Sequence, residues 1–390
     1  MSVFIVGYPY IGRTEWETFN FYPEKNGVFF LLPKKWTAKK GQIVFYPPKN
    51  KNVLTTLALF HHSDYPIIGG LFKGWMPLFP LALLRLKLRT KIDLVYNCND
   101  PVLLTSLYNS FWAKIFGSKV VLFSWENIPY EVKFRGLNLF VKKLILNLNL
   151  FFCDGIVCGN KKGEAIFRER TSKPISVIPM SGFDGEFFKP PDVKAKREFE
   201  GFSLDGKIVF SFAGAIGFRK GIHLAIEAFP LVLEQIPNSV LIISGSGEYE
   251  REIDQLINDL GLKRNIIRVP WLDQERLRTI LAISDVFLYP SVPYGGWEEQ
   301  FGYAMGEASL MELPVISTAS GSIGEVVING KTGILVRPGD RGELKDAMIR
   351  LGKDENLRKS LGMAGRRYIM ENFSQQKIAQ RFYDFFNKIQ

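Results

Sequence analysis

The amino-acid sequence predicts an α/β protein built on doubly wound parallel sheets, and its segment pattern and its length both indicate this fold class. Short apolar segments such as 240–244 and 286–289 alternate along the second half with segments in which apolar residues recur at helical spacing. A strand that is apolar throughout is typical of a parallel sheet covered by helices on both faces. The 390 residues, 46% of them hydrophobic and 23% charged, suffice for two such domains of ordinary size.

The second half shows the alternation most clearly. The segment 221–235 places Ile222, Ile226 and Phe229 on one helical face, and the strand before it ends at Gly214. We predict strands at 207–213, 240–244, 266–269, 286–289 and 314–317, and helices at 221–235, 248–260, 273–284 and 301–311.

The first half repeats the pattern less clearly. Residues 8–27 and 60–76 are rich in Gly, Pro and aromatic residues, so we expect loops over a site there. Residues 185–206, with a Pro-Pro pair and alternating charges, are predicted to link two domains at 1–190 and 205–370. Strands are predicted at 3–6, 28–32, 93–96, 120–123, 155–158 and 175–178, and helices at 81–89, 102–116 and 133–150.

Composition disfavours several classes of protein. Three cysteines, an odd number in a long chain, argue against a disulfide framework and indicate a reducing compartment. Three histidines are too few for a multi-histidine centre, so no metal site is predicted. The apolar start at 1–7 is short for a signal peptide, and no segment reaches the ~20 apolar residues of a spanning helix. We therefore expect a cytoplasmic protein.

The net charge of +11 is confined to the first half. Residues 1–190 contain 25 Lys and Arg against 13 Asp and Glu, whereas the rest of the chain contains 25 against 26. Such an asymmetry predicts an anionic partner for the first half, which could be a membrane surface, a substrate or a nucleic acid.

Two glutamates mark the start of a predicted helix in the second half. Glu299 lies in the loop before this helix and Glu307 lies two turns into it, within ~12 Å along the axis. The helix start offers unpaired N–H groups to a phosphate, and a carboxylate there can accept hydrogen bonds from sugar hydroxyls. The alternative is structural, with Glu299 compensating the helix dipole and Glu307 simply solvated.

A second set of residues has the arrangement of a diphosphate cradle. A strand ends at Gly214, and Arg219 and Lys220 precede the next helix. The spacing differs from G-x-x-x-x-G-K-[ST], so a P-loop ATPase is disfavoured. Gly245 follows the next strand, at the sheet edge where α/β proteins bind ligands. The alternative is a surface turn with solvated Arg219 and Lys220.

Together these segments resemble the retaining glycosyltransferases of family 4, and the resemblance extends over nearly the whole chain. Residues 299–315, EQFGYAMGEASLMELPV, resemble the E-x7-E motif of that family. The other matching stretches are 214–221, which resembles a G-R-x-x-x-x-K-G loop, 285–291 (DVFLYPS), 320–336, which resembles G-G-x-x-E followed by N-G-x-T-G-x-L-V, and the hinge segment at 178–190.

The resemblance implies the GT-B fold, in which two Rossmann-like domains face each other across a cleft. The first domain would bind the acceptor and the second a nucleotide-diphosphate sugar, and a last helix at 371–390 would cross back to the first. The implied reaction is a retaining transfer to a hydroxyl of a glycan or lipid-linked acceptor. It needs no cofactor and no metal, and the sequence contains no D-x-D motif.

Residue roles follow from the same resemblance. Lys220 would pair with the donor diphosphate, Glu299 would hold the sugar near its reacting carbon, and Glu307 would bind the ribose hydroxyls. Further donor contacts are implied at Gly7, Gly12, Gly214, Gly245, Gln300, Phe301, Gly302 and Tyr303, and near the base at Arg268 and Trp271.

The sequence departs from the family pattern at three places. Ala215 replaces the arginine of the phosphate loop, which leaves Arg219 as the candidate for a second catalytic cation. Glu126, or its neighbour Trp125, stands where the family often has a histidine near the sugar, and Glu126 is our catalytic candidate there. Glu312 replaces a glycine, and a left-handed helix end at that position would cost ~1 kcal/mol.

Two basic, leucine-rich stretches, 71–91 and 133–150, lie in the first half. Both suit binding to the surface of an anionic membrane, which would place a lipid-linked acceptor beside the site. The alternative is a core helix with a solvated basic edge. We find no RNA- or DNA-binding motif, so no nucleic-acid partner is expected.

Other functions fit the sequence less well. A sugar-nucleotide epimerase would need catalytic acids and a histidine, and a phosphorylase would need a pyridoxal-binding lysine in a longer chain. The remaining alternative is a non-catalytic sugar-nucleotide-binding or membrane-adaptor protein on the same fold. Ala215 and Trp125, in place of catalytic residues, would be its signature.

Overall fold

The chain divides into two units, residues 1–182 with 375–390 and residues 183–374. The predicted linker, 185–206, therefore lies within the second unit, where Glu198–Phe199 and Phe202–Ser203 form a short antiparallel hairpin. The structure, a computed structural model, describes residues 1–11, 16–37, 43–45, 47, 51–61, 69–191 and 197–389.

A seven-stranded parallel sheet organises the first unit. Its strands run in the order β5-β2-β1-β6-β7-β8-β9, so the winding reverses between β1 and β6. Two further short strands, β3 and β4, pair with each other in antiparallel fashion. The bounds are Val3–Val6 (β1), Val28–Pro33 (β2), Trp36–Thr37 (β3), Ile43–Phe45 (β4), Val53–Thr56 (β5), Leu94–Asn97 (β6), Lys119–Ser124 (β7), Gly155–Cys158 (β8) and Ile175–Val177 (β9).

A six-stranded parallel sheet organises the second unit in the same way. Its order is β14-β13-β12-β15-β16-β17, so the winding reverses between β12 and β15. Ligands bind at such reversal points in open α/β sheets, beyond the carboxyl ends of the strands. The bounds are Glu198–Phe199 (β10), Phe202–Ser203 (β11), Ile208–Ala213 (β12), Ser239–Ser244 (β13), Ile266–Val269 (β14), Val286–Tyr289 (β15), Val315–Thr318 (β16) and Gly333–Val336 (β17).

Helices connect the strands in both units. The bounds are Gly69–Phe72 (α1), Phe79–Lys87 (α2), Leu104–Ile115 (α3), Tyr130–Lys133 (α4), Gly136–Phe152 (α5), Lys161–Arg168 (α6), Ile222–Gln235 (α7), Glu250–Asp259 (α8), Gln274–Ile283 (α9), Tyr303–Leu310 (α10), Arg341–Lys353 (α11), Glu355–Phe373 (α12) and Gln375–Ile389 (α13). Single turns of 3-10 helix lie at Tyr8–Ile11, Thr18–Phe21, Lys25–Gly27, Phe218–Lys220 and Ile323–Glu325. No helix within these described residues is long and apolar enough to span a membrane.

The strands form because their side chains are buried on both faces. All four residues of β1, β6, β8 and β15 are buried, as the continuously apolar segments predict. In the first unit, α13 covers part of the sheet. The rings of Phe382 and Phe386 lie 5.4 and 5.2 Å from that of Tyr96 on β6. The last helix of the chain thus belongs to the core of the first unit.

Most predicted elements are confirmed with small shifts at their ends. The helix predicted at 133–150 begins instead at Gly136, as α5, because Phe134 and Arg135 are extended and Gly136 has a φ of +53°. The sequence did not predict the strands β3, β4, β5, β10, β11 and β17 or the helices α1, α4, α6, α11 and α12.

The predicted left-handed helix end at Glu312 is confirmed, with a φ of +60°. The Glu312 N–H donates to the Ser309 carbonyl at 3.0 Å, and the Leu313 N–H donates to the Ala308 carbonyl at 3.1 Å. These two bonds close α10 in a Schellman motif, whose left-handed position normally belongs to glycine. A glutamate therefore occupies it at a cost of ~1 kcal/mol.

Candidate active site

Lys220, Glu299 and Tyr289 form a buried cluster where the winding of the second sheet reverses. The Lys220 ammonium donates to Oε2 of Glu299 at 2.6 Å and also to the Tyr289 hydroxyl. The Tyr289 hydroxyl in turn donates to the same carboxylate oxygen at 2.9 Å. Lys220 is 7% exposed and Glu299 is 6% exposed. The structure thus joins the two predicted residues and adds Tyr289, the last residue of β15.

Burial determines the protonation behaviour of this cluster. It lowers the pKa of Lys220, although the neighbouring Glu299 carboxylate acts in the opposite direction. Burial, reinforced by Glu299, raises the pKa of Tyr289 well above its usual value. Tyr289 therefore remains a hydrogen-bond donor. A buried ion pair contributes little net stability, so a ligand that offers an anion to Lys220 and hydroxyl groups to Glu299 can replace the bond between them.

The position of Lys220 depends on the glycine that follows it. The 3-10 turn Phe218–Lys220 ends at Gly221, whose φ of +70° is left-handed, and α7 begins at the next residue. A Cβ at Gly221 would lie 1.8 Å from the carbonyl oxygen of Pro290, so no other residue fits without a backbone shift. The turn therefore presses against the end of β15 and directs Lys220 toward Glu299.

Glu299 is held by its backbone and precedes a helix start. Its carbonyl accepts the N–H of Ser322 at 2.9 Å, from the segment that resembles the G-G-x-x-E motif. Gly302 has a φ of +86° and is followed by α10, which begins at Tyr303. Glu307 lies half-buried on the same helix. The predicted helix and the position of Glu299 before it are confirmed, but the helix begins at Tyr303, so Glu307 lies about one turn into it rather than two.

Two further predicted donor contacts, Gln300 and Phe301, lie between Glu299 and Gly302. Gln300 is half-buried, whereas the Phe301 ring is buried and stacks on that of Phe183 with 6.1 Å between centroids. The side chain of Phe301 is therefore occupied by packing, which leaves only its backbone groups for a ligand.

Arg219 lies over an aromatic ring that the sequence analysis did not single out. Its Cζ lies 3.7 Å from the centroid of the Trp297 ring, and the Lys220 ammonium lies 5.0 Å from the same centroid. Nη1 of Arg219 is buried and has no hydrogen-bond partner in the described part of the chain. Stacking on the ring holds the guanidinium in place, so this nitrogen is available to an anion.

The other predicted residues of the second unit occupy two different settings. Gly214 and Gly245 follow β12 and β13 directly, and the Gly214 N–H donates to the Ser244 carbonyl at 3.1 Å. Arg268, on β14, pairs with Asp254 at 3.0 Å, while Trp271 beyond that strand is exposed. The guanidinium of Arg268 is thus already engaged by a helix residue.

Glu126 belongs to the first unit, where its own loop holds it. Both of its oxygens accept from the Lys133 ammonium at 2.9 Å, and Oε1 also accepts the N–H groups of Asn127 and Ile128 at 3.0 and 3.1 Å. The neighbouring Trp125 ring meets that of Phe123 edge-on, with 5.3 Å between centroids. Glu126 is therefore an ion-paired, buried carboxylate.

The remaining glycines predicted in the first unit are Gly7 and Gly12. Gly7 follows β1, and a Cβ on it would lie 3.0 Å from the Cβ of Cys98. Gly12 lies outside the described residues.

Glu126 also lines a cavity of about 170 Å³ at the carboxyl ends of three strands of the first sheet. Tyr8 follows β1, Asp100 follows β6 and Glu126 follows β7, and the side chains of Lys73 and Lys142 complete the charged part of the wall. Of these residues the sequence analysis proposed a role only for Glu126. The acidic residue after a buried strand is a signal that could have identified Asp100.

The three cysteines are all buried, and none of them forms a disulfide. Burial raises the pKa of the Cys153 thiol to about 11 and that of the Cys158 thiol to about 12. They are therefore unreactive core residues at neutral pH.

Comparison with known proteins identifies relatives of this chain. Residues 193–368 match a family model described as glycosyl transferases group 1. The chain is 30% identical over 195 residues to the GDP-mannose-dependent alpha-(1-6)-phosphatidylinositol monomannoside mannosyltransferase of Mycolicibacterium smegmatis, a match covering 49% of this chain and 51% of that protein. It is 26% identical over 318 residues to the capsular polysaccharide biosynthesis glycosyltransferase CapM of Staphylococcus aureus, covering 77% and 80%. The chain thus spans about half the length of the first relative.

Solved structures share the architecture over the full chain. Anabaena HepE, in complex with UDP, superposes with a TM-score of 0.75 and 19% identity over 100% of both chains. The sucrose-phosphate synthase of Thermosynechococcus elongatus superposes with a TM-score of 0.74 and 18% identity, over 100% of this chain and 99% of that one. These matches confirm the GT-B fold predicted from the sequence, with its two parallel-sheet α/β domains.

Proposed function

We propose that this chain, which carries a group 1 glycosyltransferase domain on a GT-B fold, moves a sugar from a nucleotide-diphosphate sugar to a hydroxyl of a glycan or lipid-linked acceptor. The transfer would retain the anomeric configuration and need no metal. The observation that carries the proposal is the buried cluster of Lys220, Glu299 and Tyr289. A buried ammonium beside a buried carboxylate suits a ligand that presents both an anion and hydroxyl groups, as a sugar diphosphate does.

Each charged residue of the cluster has a role in this proposal. Lys220 pairs with the diphosphate, and Arg219 donates its buried, unpartnered nitrogen to the same anion in place of the arginine absent at Ala215. Glu299 accepts hydrogen bonds from the sugar hydroxyls, and Glu307 accepts them from the ribose. When the donor binds, the bond between Lys220 and Glu299 is exchanged for these contacts.

The proposed step balances without a further reactant. The bond between the anomeric carbon and the diphosphate oxygen breaks, and its electron pair leaves with the nucleoside diphosphate. The acceptor oxygen forms the new bond on the same face of the sugar, and its proton passes to the departing phosphate oxygen. Lys220 and Arg219 stabilise the negative charge that develops on the leaving group.

Two relatives support the class of donor. Anabaena HepE was solved in complex with UDP, and the name of the mycobacterial relative specifies GDP-mannose. UDP and GDP-mannose both contain a nucleoside diphosphate, and its diphosphate is the group that the proposal assigns to Lys220 and Arg219. The exposed Trp271 is the residue that we assign to the neighbourhood of the base.

An exposed apolar stripe supports a location of the protein at the cytoplasmic face of an anionic membrane. Along α5, every third or fourth residue on the outer face is apolar and exposed. On the neighbouring α3, the exposed Phe111 ring lies 5.9 Å from that of Phe152 and extends the patch. An exposed apolar helix face of this kind is typical of proteins that lie in a membrane interface. The residues of the stripe are Leu137, Phe140, Leu144, Leu148 and Phe151.

A donor screen tests the proposed function. We expect one of UDP-, GDP- or ADP-sugar to raise the melting temperature, since a ligand at 100 times its Kd stabilises by ~2.7 kcal/mol. The anomeric proton coupling of the product, formed in the presence of EDTA, then reports the stereochemistry and the need for metal. An inverted product would contradict the retaining mechanism, and loss of activity in EDTA would contradict its metal independence.

A further inference from the structure

The first unit contains a charged cavity at the point where its winding reverses, between β1 and β6. Its volume is about 170 Å³. At ~30 Å³ for each water in the liquid, this equals roughly five or six waters, which suits a phosphate or diphosphate group. The site lies beyond the carboxyl ends of the strands, where open α/β sheets bind ligands.

The lysines that line this cavity outnumber its carboxylates. Lys133 is paired with Glu126, at 2.9 Å from both oxygens. The Lys142 ammonium donates to the Gly70 carbonyl at 3.3 Å and lies 4.7 Å from the centroid of the Phe134 ring.

Lys73, the third lysine of the cavity, is held in the same way by a ring rather than by a carboxylate. Its ammonium lies 4.6 Å from the centroid of the Tyr8 ring. Within the described residues, neither Lys73 nor Lys142 forms an ion pair with a carboxylate.

Asp100, the second carboxylate of the cavity, does not neutralise these lysines at hydrogen-bond distance. Its Oδ1 accepts the N–H of Val102 at 3.1 Å, and its charge acts on Lys73 and Lys142 at longer range. Burial raises the pKa of Asp100 and lowers the pKa of both lysines. All three shifts arise because the cavity removes charges from water without pairing them closely, and a bound anion would reverse the lysine shifts.

We propose that this cavity binds a phosphate or diphosphate group of the acceptor. Lys73 and Lys142 would hold the group, together with the ammonium of Lys133 where it is not covered by Glu126. The acceptor is then an anionic, phosphate-bearing substrate. The identification of the ligand as the acceptor rests on the proposed function, whereas the presence of an anion site in this cavity does not. Of the two carboxylates of the cavity, Glu126 is paired with Lys133, and Asp100 is the one whose ionised form would repel the anion.

The helix α5 connects this cavity to the exposed apolar stripe. Lys142 is buried on the inner face of α5, whereas Phe140 and Leu144, two residues to either side, are exposed on the outer face. The cavity and the apolar stripe thus lie on opposite faces of one helix, one helix diameter (~10 Å) apart. A protein held on a membrane by the stripe would therefore carry the cavity close to the lipid surface.

Titration calorimetry with two probes, inorganic pyrophosphate and geranyl diphosphate, tests the proposal on the full chain. We expect Lys73→Gln and Lys142→Met to raise the Kd of both probes at least tenfold. Methionine keeps the apolar stem of the buried Lys142, so that variant should fold. Lys143→Gln is the matched control, since Lys143 is the next residue of α5 and pairs with Glu131. It should change the Kd less than twofold.

Lys220→Ala separates this cavity from the donor site. Retention of pyrophosphate binding in Lys220→Ala, with its loss in the Lys73 and Lys142 variants, supports the proposal. Loss of binding in Lys220→Ala alone, or no binding to the parent chain, overturns it. Tighter binding of geranyl diphosphate than of pyrophosphate identifies a lipid-linked source, and equal binding identifies a free anion. Thermal unfolding of each variant shows that it is folded.

Nucleotide-sugar binding, measured on the same samples, reports on the proposed function separately. If no nucleotide-sugar binds while pyrophosphate binding still depends on Lys73 and Lys142, the glycosyltransferase proposal fails and the anion cavity stands. If donors bind and pyrophosphate binding is unaffected by these two lysines, the cavity proposal fails alone.

Discussion

The two parallel sheets carry comparable clusters of buried charge, and the clusters differ in how their lysines are partnered. In the second unit, Lys220 is bonded to Glu299 at 2.6 Å and to Tyr289. In the first unit, Lys73 faces a tyrosine ring and Lys142 a carbonyl and a phenyl ring. Both clusters lie where the winding of the sheet reverses, so the same topology supports two kinds of site.

This difference determines which interactions an anion would make on binding to each cluster. The Lys220–Glu299 pair is already neutral, so an anion must take the ammonium from the carboxylate. A sugar hydroxyl can then replace the ammonium on Glu299. The cavity of the first unit has unpaired positive charge, so an anion gains simply by entering it. Two-part ligands are therefore expected in the second unit and plain anions in the first.

Removing either charge of the Lys220–Glu299 pair should have the largest effect on sugar transfer. Lys220→Ala and Glu299→Ala should each lower kcat/KM for sugar transfer about a hundredfold or more, as removal of one charge-stabilising group does. Initial rates with the donor found in the screen measure this. Lys263→Ala, which removes an exposed lysine of the same unit, should leave the rates unchanged. Near-normal turnover in both site variants would remove the site assignment.

The apolar stripe of α5 should contribute to membrane binding but not to the binding of soluble ligands in the cavity of the first unit. The double variant Phe140→Ser, Leu144→Ser should weaken binding to anionic liposomes about tenfold, since two exposed apolar side chains contribute roughly 1.5 kcal/mol together. Co-sedimentation at several salt concentrations measures this, and binding of the parent chain should weaken as salt rises. Binding that ignores both the substitutions and salt would contradict a membrane role for this face.

Asp100 offers a way to sharpen the comparison within the first unit. Asp100→Asn should tighten pyrophosphate binding roughly fivefold at neutral pH, because it removes a carboxylate that repels the anion. In the parent chain, affinity should fall as the pH rises and Asp100 ionises beside Glu126, Lys133 and Lys142, its charged neighbours. The variant should lose the part of that slope that Asp100 causes, while the part that comes from titration of the lysines and of pyrophosphate itself remains. Calorimetry across pH measures it, and weaker binding in the variant would show that Asp100 orients the lysines instead.

The helix that follows Glu299 provides the smallest expected effect. Glu312→Gly should stabilise the protein by ~1 kcal/mol, because glycine adopts the left-handed φ of +60° without strain. Thermal or denaturant unfolding measures the gain, and sugar transfer should be unchanged because the residue closes the far end of α10. A loss of stability would mean that the Glu312 side chain makes a compensating contact.

The elements of the second unit could be predicted because each strand and helix is specified locally. Apolar strands such as 286–289 are buried on both faces, and 221–235 has one apolar helical face. Lys220 and Glu299 were found because each belongs to a short motif that contains a glycine, with Lys220 directly before Gly221 and Glu299 three residues before Gly302. Tyr289 and Trp297 were missed as partners, since a tyrosine ending a strand and a tryptophan in a loop have no distinctive spacing.

The sequence by itself determined the α/β class, the alternation of strands and helices, the charge excess of the first half, and Lys220 and Glu299 as the charged residues of the buried cluster in the second unit. These are properties of neighbouring residues, which local burial and backbone conformation dictate. Only the tertiary structure decided that Tyr8, Lys73, Asp100, Glu126 and Lys142 share one cavity. They come from five separate segments, and only the order of the strands in the sheet brings them together.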